Sequence, residues 1–238
     1  MQKRWVIPDI HGCFKTYQAL IEQQINPSKN DEIYFLGDYI DRGPGSKEII
    51  DHIMKLQKEE YNIRLLMGNH EDYIIRAYGE EINRKRVFGF KTKNFIKKEW
   101  EQLGGRKTME SFGIQSLKNL PEKYVKWFKN LEYYIKLDDV VLVHAGLNFN
   151  VTDPFTDKRA MLWLRDYQVK PEMINNRLVI HGHVPVSLEF IYSSVKNSSY
   201  GFIDLDNGSY MDRREGFGNL VALELNSMEL KVQQNLDY

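Results

Sequence analysis

Three times in the N-terminal third of the chain, a short apolar run ends in a polar turn and passes into an amphipathic stretch. Few folds accommodate that rhythm. Arg4-Trp5-Val6-Ile7 stops at Pro8 and enters Asp9-Ile10-His11-Gly12, before a stretch that carries Tyr17, Leu20, Ile21 and Ile25 on one helical face. Glu32-Ile33-Tyr34-Phe35-Leu36 runs into Gly37-Asp38-Tyr39-Ile40-Asp41-Arg42-Gly43, and Ser46 is the expected N-cap of a helix with Ile49, Ile50, Ile53 and Met54. Ile63 to Met67 leads through Gly68-Asn69-His70-Glu71 into a segment with Tyr73, Ile74 and Ala77. Successive βα units predict parallel strands with helices on the sheet faces, and ligands collect at the carboxyl ends of such strands. Asp9, Asp38 and Asn69 stand at those ends.

From Gly79 to about Asn130 the pattern becomes mostly helical and basic, with Arg84-Lys85-Arg86, Lys91, Lys93, Lys97-Lys98 and Arg106-Lys107. This reads as an insertion at about 79–130 that covers one side. Its basic run is either a solvated helical face or a surface that draws an anionic substrate. Gly104-Gly105 interrupts it, and Pro121 suits the first turn of a further helix with Tyr124, Trp127, Phe128 and Leu131. The remainder is strand-rich: Tyr133 to Leu137, Val140 to Val143 ending at His144, and Leu178 to Ile180 ending at His181-Gly182-His183. Tyr200 to Leu205 and Leu220 to Leu225, with the turn Asp206-Asn207-Gly208 between them, are expected to close the fold as antiparallel strands.

A length of 238 residues suits a single α/β domain over 1–238. Thirty-three basic residues balance 33 acidic ones, so no global field marks a nucleic-acid or anionic-membrane binder. One cysteine, Cys13, excludes an intrachain disulfide framework. No signal region and no apolar run of membrane-spanning length is found, which points to a soluble cytoplasmic protein and no membrane partner. Oligomeric state is left open.

Five of the six histidines, His11, His70, His144, His181 and His183, follow a candidate strand directly, beside Asp, Asn or Gly. His52, inside a predicted helix, is expected to be structural, and Cys13 to serve packing. Mixed carboxylate, imidazole and amide donors suit Mn, Fe or Zn better than Ca or an all-oxygen Mg site. A carboxylate shared between two divalent ions raises the charge density that phosphoryl transfer needs, and Asp38 is the natural bridge. Ions so placed acidify water and neutralise phosphoryl oxygens. Arg42 can grip the remaining oxygens bidentately. A leaving alkoxide also needs a proton, which a histidine paired with a carboxylate can deliver.

The set Asp9-x-His11, Gly37-Asp38-x-x-Asp41-Arg42-Gly43, Gly68-Asn69-His70-Glu71, His144-Ala145-Gly146 and Gly182-His183-x-Pro185 resembles the phosphoprotein phosphatase family of the calcineurin-like metallophosphoesterases, in particular its small bacterial and phage-type members. The resemblance spans about Trp5 to Leu225. It implies a four-layer α/β/β/α sandwich with a dinuclear centre. Asp9, His11 and Asp38 would hold one metal, and Asp38, Asn69, His144 and His183 the other. His70 matches the general acid, oriented by Asp41, while Arg42 and Arg165 match phosphate-binding arginines. Arg165 rests on the less specific stretch Met161 to Asp166, and His181 lies outside the ligand set. Val184 departs from the threonine that many bacterial members carry between that histidine and proline.

The function so implied is a dinuclear, Mn-first (Fe or Zn possible) phosphomonoesterase that dephosphorylates phosphoserine and phosphothreonine proteins, by direct attack of metal-bound hydroxide. Its substrate would be a phosphorylated protein or a small phosphate ester. The alternative is hydrolysis of a dinucleoside polyphosphate such as diadenosine tetraphosphate on the same scaffold. Glu71 and Pro185 lean against it, because the symmetrical dinucleoside hydrolases usually read Gly-Asn-His-Asp and lack the Gly-His-x-Pro form. A nuclease would be expected to end in Gly-His-x-His, and a non-catalytic phosphoprotein-binding module to have lost ligands that are all present.

Overall fold

The computed structural model describes residues 2–83, 86–87, 90–91, 94–197, 200–212 and 214–238, with the backbone alone at 86–87 and 90–91. In chain order, β1 (Arg4–Ile7) leads to α1 (Phe14–Ala19), which continues as a wider π-type turn to Ile25. Then come β2 (Glu32–Phe35), α2 (Ser46–Lys58), β3 (Asn62–Leu65) and α3 (Asn69–Ile82). A small hairpin, β4 (Arg86–Val87) and β5 (Phe90–Lys91), precedes α4 (Phe95–Trp100), α5 (Arg106–Ser111) and α6 (Glu122–Lys129). The last part holds β6 (Tyr134–Lys136), β7 (Val140–Val143), α7 (Lys158–Trp163), β8 (Leu178–His181), α8 (Leu188–Lys196), β9 (Phe202–Asp204), β10 (Asn219–Glu224) and β11 (Glu229–Gln234).

Two main sheets result. One has the order β11-β10-β1-β2-β3, with β1, β2 and β3 parallel; the other has the order β6-β7-β8-β9. Side chains alternate across a strand, so each central strand feeds two cores. Trp5, Ile7, Ile33 and Phe35 face the helical layer with Tyr17, Leu20, Ile50 and Phe128. Val6, Tyr34, Val221 and Leu223 face the other way, onto Leu142 and Ile180 of the second sheet. The outer face of that sheet is covered by Leu147, Phe149, Met161 and Ile174. The expected α/β sandwich is thus observed, and it follows from central strands that are apolar on both faces over 5–7 and 33–35.

Several expectations change in detail. Ser46 is the first helical residue rather than the cap, which is Gly45; the buried Ser46 Oγ instead accepts from the Asp41 amide at 3.1 Å. Tyr200 to Leu205 and Leu220 to Leu225 do not pair as an antiparallel hairpin. β9 lies parallel to β8 in the second sheet, whereas β10 runs antiparallel to β1 and to β11 in the first. The physical reason is length. The buried Asp206–Ser209 stretch and the loop after it carry the chain from one sheet to the other, where a tight turn would have kept it in one.

Of the basic run, Arg84, Lys85 and Lys93 lie outside the described residues. Lys97 lies 3.6 Å from both Glu81 and Glu101, and Lys107 lies 2.9 Å from Glu110, so these two cations are paired with carboxylates of the same helical region. No described helix is long and apolar enough to cross a membrane.

Candidate active site

The ends of β1, β2, β3, β7 and β8 converge, and each delivers one polar loop. Asp9 and His11 follow β1, the Asp38 loop follows β2, Asn69 and His70 open α3 after β3, His144 follows β7 and His183 follows β8. Bringing these loops together needs unusual backbone. His11, Asp38, Asp41, Arg42 and His183 all have positive φ, between 48° and 76°. Non-glycine residues held there cost on the order of 1–3 kcal/mol each, a strain the surrounding fold must offset. Gly37 and Gly68 allow the β2 and β3 loops to touch; a Cβ on Gly37 would lie 2.5 Å from the Gly68 amide nitrogen.

Glu71 locks the contact between those loops. Its buried carboxylate accepts from the amides of Asp38 at 2.8 Å, Tyr39 at 2.9 Å and Gly68 at 3.0 Å. Four oxygen lone-pair sites match several N–H donors, which is what a carboxylate offers and an amide does not. Glu71 therefore acts on backbone and does not line the cleft. The spelling Gly-Asn-His-Glu accordingly says little about what the cleft binds.

The cation-binding chemistry is read from atoms that face one another without protons. His144 Nδ1 lies 3.0 Å from the Leu36 carbonyl and donates to it, so Nε2 presents a lone pair. That lone pair faces Asn69 Oδ1 at 3.0 Å and Asp38 Oδ1 at 3.6 Å. His183 Nδ1 also lies 3.0 Å from Asn69 Oδ1. On the other side His11 Nδ1 donates to the Ile40 carbonyl at 3.1 Å, which leaves Nε2 toward Asp38 Oδ2 at 3.6 Å. Acceptors so close repel unless a cation lies between them, and donor atoms each about 2.1 Å from one ion sit roughly 3.0–3.4 Å apart. Burial pulls the His11 and His144 imidazoles below their usual pKa and takes His183 down to about 3, which favours the neutral, ligating form. Burial opposes charge on Asp38, yet the surrounding imidazoles, headed by His144 and His70, hold its carboxyl below the usual range.

Two donor groups arise, His11 with Asp38 and His70, and Asp38 with His144 and His183; Asp38 belongs to both. Asp9 is buried beneath them. Its Oδ2 accepts from the His183 amide at 2.7 Å, while Oδ1 has no hydrogen-bond partner and lies 3.5 Å from His144 Nδ1. Burial first, then Asp206 and Asp38, push the Asp9 carboxyl well above its usual pKa. An orphaned, buried carboxylate oxygen among neutral imidazoles fits divalent cations. Asp9, His11, Asp38, Asn69, His144 and His183, the donors expected from the sequence, thus lie together with no thiolate among them.

His70 has a different setting. Its Nδ1 is 2.6 Å from Asp41 Oδ2, and its Nε2 is 3.9 Å from Asp38 Oδ2. Burial lowers its pKa, but Asp38 and Asp41 outweigh that and raise it. Asp41 touches none of the six donors above. It is fully buried, and its carboxylate also accepts from Trp100 Nε1 at 2.7 Å and from Thr108 Oγ1 at 2.5 Å. Both partners come from the segment after α3. That segment reaches the loop because Gly104 has φ 118° and no side chain; a Cβ there would lie 2.7 Å from the Arg42 amide nitrogen.

Arg42 and Arg165 enter the same cleft, a 270 Å³ cavity also lined by His11, Asp38, His70 and His183. Arg42 is half-buried, its guanidinium 4.1 Å from the centre of the Tyr210 ring, and Tyr238 donates to its carbonyl at 3.0 Å. Arg165 is exposed. All ten residues singled out from the sequence therefore meet in one place. His181 does not; its ring packs on Tyr167 and Phe202. Cys13 is buried, its thiol pushed up to about 12 by burial, and His52 lies 3.0 Å from Tyr17 Oη, so both are structural.

Sequence reading missed Trp100, Thr108, Trp163 and Tyr210. Trp163 had a usable signal, since it lies two residues before Arg165 in the same short stretch and lines the cleft. Tyr210 follows the Asp206-Asn207-Gly208 turn, but nothing local marks it as a partner of Arg42.

A symmetrical bis(5'-nucleosyl)-tetraphosphatase from Wigglesworthia glossinidia brevipalpis is 28% identical over 160 residues, which are 65% of this chain and 49% of that protein. An asymmetrical bis(5'-nucleosyl)-tetraphosphatase from Anoxybacillus flavithermus is 30% identical over 152 residues, 60% of this chain and 56% of that one. The chain thus spans about half the length of these curated relatives. A serine/threonine phosphatase from Saccharomyces cerevisiae superposes with a TM-score of 0.64 over all of this chain and 81% of its own, at 15% identity, which shows a shared fold and no more. The model of the calcineurin-like phosphoesterase family matches residues 3–208, and the chain belongs to that family.

Proposed function

We propose that this chain is a divalent-metal-dependent hydrolase that cleaves the polyphosphate bridge of a dinucleoside polyphosphate. The observation that carries the reading is sequence similarity to bis(5'-nucleosyl)-tetraphosphatases. It reverses the preference drawn from the motifs alone, where Glu71 and Pro185 favoured a phosphoprotein substrate. Glu71 holds backbone amides away from the cleft, so half of that preference loses its basis. Pro185 does line the cleft, and it keeps phosphoserine and phosphothreonine ester hydrolysis as the second reading.

In this proposal Asp9, His11 and Asp38 hold one ion, and Asp38, Asn69, His144 and His183 hold the other, with Mn the first choice before Fe or Zn. Ions bound there would neutralise phosphoryl oxygens and lower the pKa of water. The chain's own groups do the rest. Arg42, stiffened by the Tyr210 ring, binds phosphoryl oxygens through two N–H groups, and Arg165 adds a second positive charge from the rim. Against the pull of burial, Asp38 and Asp41 raise the His70 pKa and so favour its imidazolium; with Nδ1–H donated to Asp41, the second proton, on Nε2, passes to the leaving oxygen. Asp41 keeps the tautomer and orientation of that ring.

The test is a product assay with Mn on diadenosine tetraphosphate and a phosphothreonine peptide side by side. Faster release of nucleotide is expected, as two ADP or as AMP with ATP. Faster phosphate release from the peptide would restore the protein phosphatase reading.

A further inference from the structure

A second cavity of 610 Å³ lies against the catalytic cleft, and Trp163 is a wall of both. Its walls are built by α3 just beyond His70, by α7 and by the strand approach before β6. Tyr73, Tyr133 and Trp163 give it aromatic surface, with Tyr73 and Trp163 edge to face at 5.2 Å. Arg76, Lys158 and Arg159 give it positive charge; all three are exposed at its mouth. Lys158 lies 4.4 Å from the centre of the Tyr133 ring, so cation and aromatic face are already held together. Two carboxylates complete the lining: Asp72 pairs with Arg76 at 3.2 Å and Glu99 accepts from the Tyr73 hydroxyl, and their remaining lone pairs can accept from hydroxyl or amino groups.

We infer that this cavity holds one nucleoside phosphate end of the substrate while the bond to be cleaved lies in the cleft. This deepens the dinucleoside polyphosphate reading and rests on it. Size argues for it first. The cleft, at 270 Å³, falls below the roughly 300–1,000 Å³ of pockets that enclose a drug-sized ligand, and a dinucleoside polyphosphate exceeds such a ligand. The neighbouring 610 Å³ falls inside that range. Chemistry argues for it second. A nucleobase stacks on aromatic faces, its phosphate meets guanidinium or ammonium, and its ribose hydroxyls meet carboxylate oxygens. A phosphopeptide side chain would need no aromatic wall beside the metal donors. Geometry argues for it third. Trp163 lies 6.2 Å from the His183 ring, so a chain of phosphates passing that indole runs from one cavity into the other.

Steady-state kinetics of the full chain with Mn test this, using Tyr133→Ala and Arg159→Ala with diadenosine tetraphosphate and with p-nitrophenyl phosphate, which has no nucleoside end to place in the second cavity. For each variant the KM for the dinucleotide is expected to rise about tenfold with kcat within about twofold, a loss several-fold greater than that on the aryl phosphate. Arg159 is exposed, so its variant keeps the test sound if removing the Tyr133 ring disturbs packing. A wild-type protein that cleaves the dinucleotide, together with variants that leave its KM unmoved or lose both substrates equally, would overturn the pocket while leaving the proposed activity standing. Wild-type protein that releases no nucleotide while hydrolysing the aryl phosphate would overturn both.

Discussion

Every donor on the cation-binding side of the cleft sits at the end of a strand or at the loop and helix start just beyond it, whereas the bonds that hold Asp41 behind His70 arrive from 59 and 67 residues further along. The first arrangement is fixed by sheet register. Parallel pairing of β1 with β2 and of β2 with β3 lines up Asp9, Asp38 and Asn69, and side-chain bonds from Glu71 and Ser209 to the loop backbone then fix them. The second depends on a helical segment docking correctly, with Trp100 and Thr108 both buried against the dyad. One side of the site is therefore set by the topology of the fold, and the other by tertiary packing that can vary while the fold stays the same.

The sharpest contrast comes from removing the shared donor. Asp38→Asn should reduce turnover about a thousandfold or more on every phosphate ester and should lower bound metal measured by elemental analysis, since both donor groups lose a charge. Chelation of the wild-type protein should match it and lower thermal stability. The sign with pH follows from the carboxyls that burial raises, Asp9 well above its usual value and Asp206 to about 7. Raised folded-state values give stability that is lost as pH rises through them, but below the ordinary imidazole pKa the lowered His11, His144 and His183 pull the other way, so the chelated protein should lose melting temperature as pH rises from about 6.5 through the raised carboxyl values. The metal-loaded protein should not.

His70→Asn should come next, with loss of about a hundredfold to a thousandfold on alkyl phosphates and much less on diadenosine tetraphosphate. An alkoxide needs a proton in order to leave; a nucleoside diphosphate scarcely does. Bound metal should stay constant. Equal losses on both substrates, or loss of metal, would move His70 from the proton-donating side to the cation-binding side, which the group of His11, Asp38 and His70 permits by distance.

The same contrast explains what the sequence discloses. Asp9, Asp38, His144 and His183 are legible because apolar runs mark the strands and polar residues follow them directly, so position in the chain gives position in space. Asp41 is legible as His70's partner only through its motif. Trp100 and Thr108 are not legible at all: a tryptophan next to a π-type turn looks like core, and its indole N–H finds its acceptor through packing. β9 misleads for a related reason. A strand–turn–strand pattern suggests a hairpin, but burial of Asp206, Asn207 and Ser209 turns the connection into a crossover between sheets. Ser209 shows why, as its hydroxyl donates to the carbonyls of Asp9 and Ile10 and ties that crossover beneath the cleft.

Trp100→Phe sharpens the comparison from the packing side. It keeps an aromatic ring and removes one N–H donor from the buried Asp41 carboxylate, a bond to a charged group worth about 1.5–3 kcal/mol. Turnover of alkyl phosphates should fall about tenfold with bound metal and KM unchanged, an effect routed through His70 orientation. Combined with His70→Asn it should add little, because a residue that acts through His70 has nothing left to position. Full additivity would mean that the helical segment acts on the cleft by another route.

The smallest effect should come from Arg165→Ala, and it separates the two arginines. Arg42 is held on three sides: the Tyr210 ring lies 4.1 Å from its guanidinium, Tyr238 bonds its carbonyl, and Gly104 packs against its backbone. Arg165 is exposed and reaches the cleft only from the rim. A solvated guanidinium loses much of its attraction to screening and must give up side-chain freedom on binding, so truncating it should raise KM only a few-fold and leave kcat near wild type. The effect should shrink further as salt is raised from low to physiological strength, whereas that of Arg42→Ala should persist. An Arg165→Ala loss as large as that of Arg42→Ala, and equally insensitive to salt, would place Arg165 inside the closed site and make the rim part of the catalytic cleft.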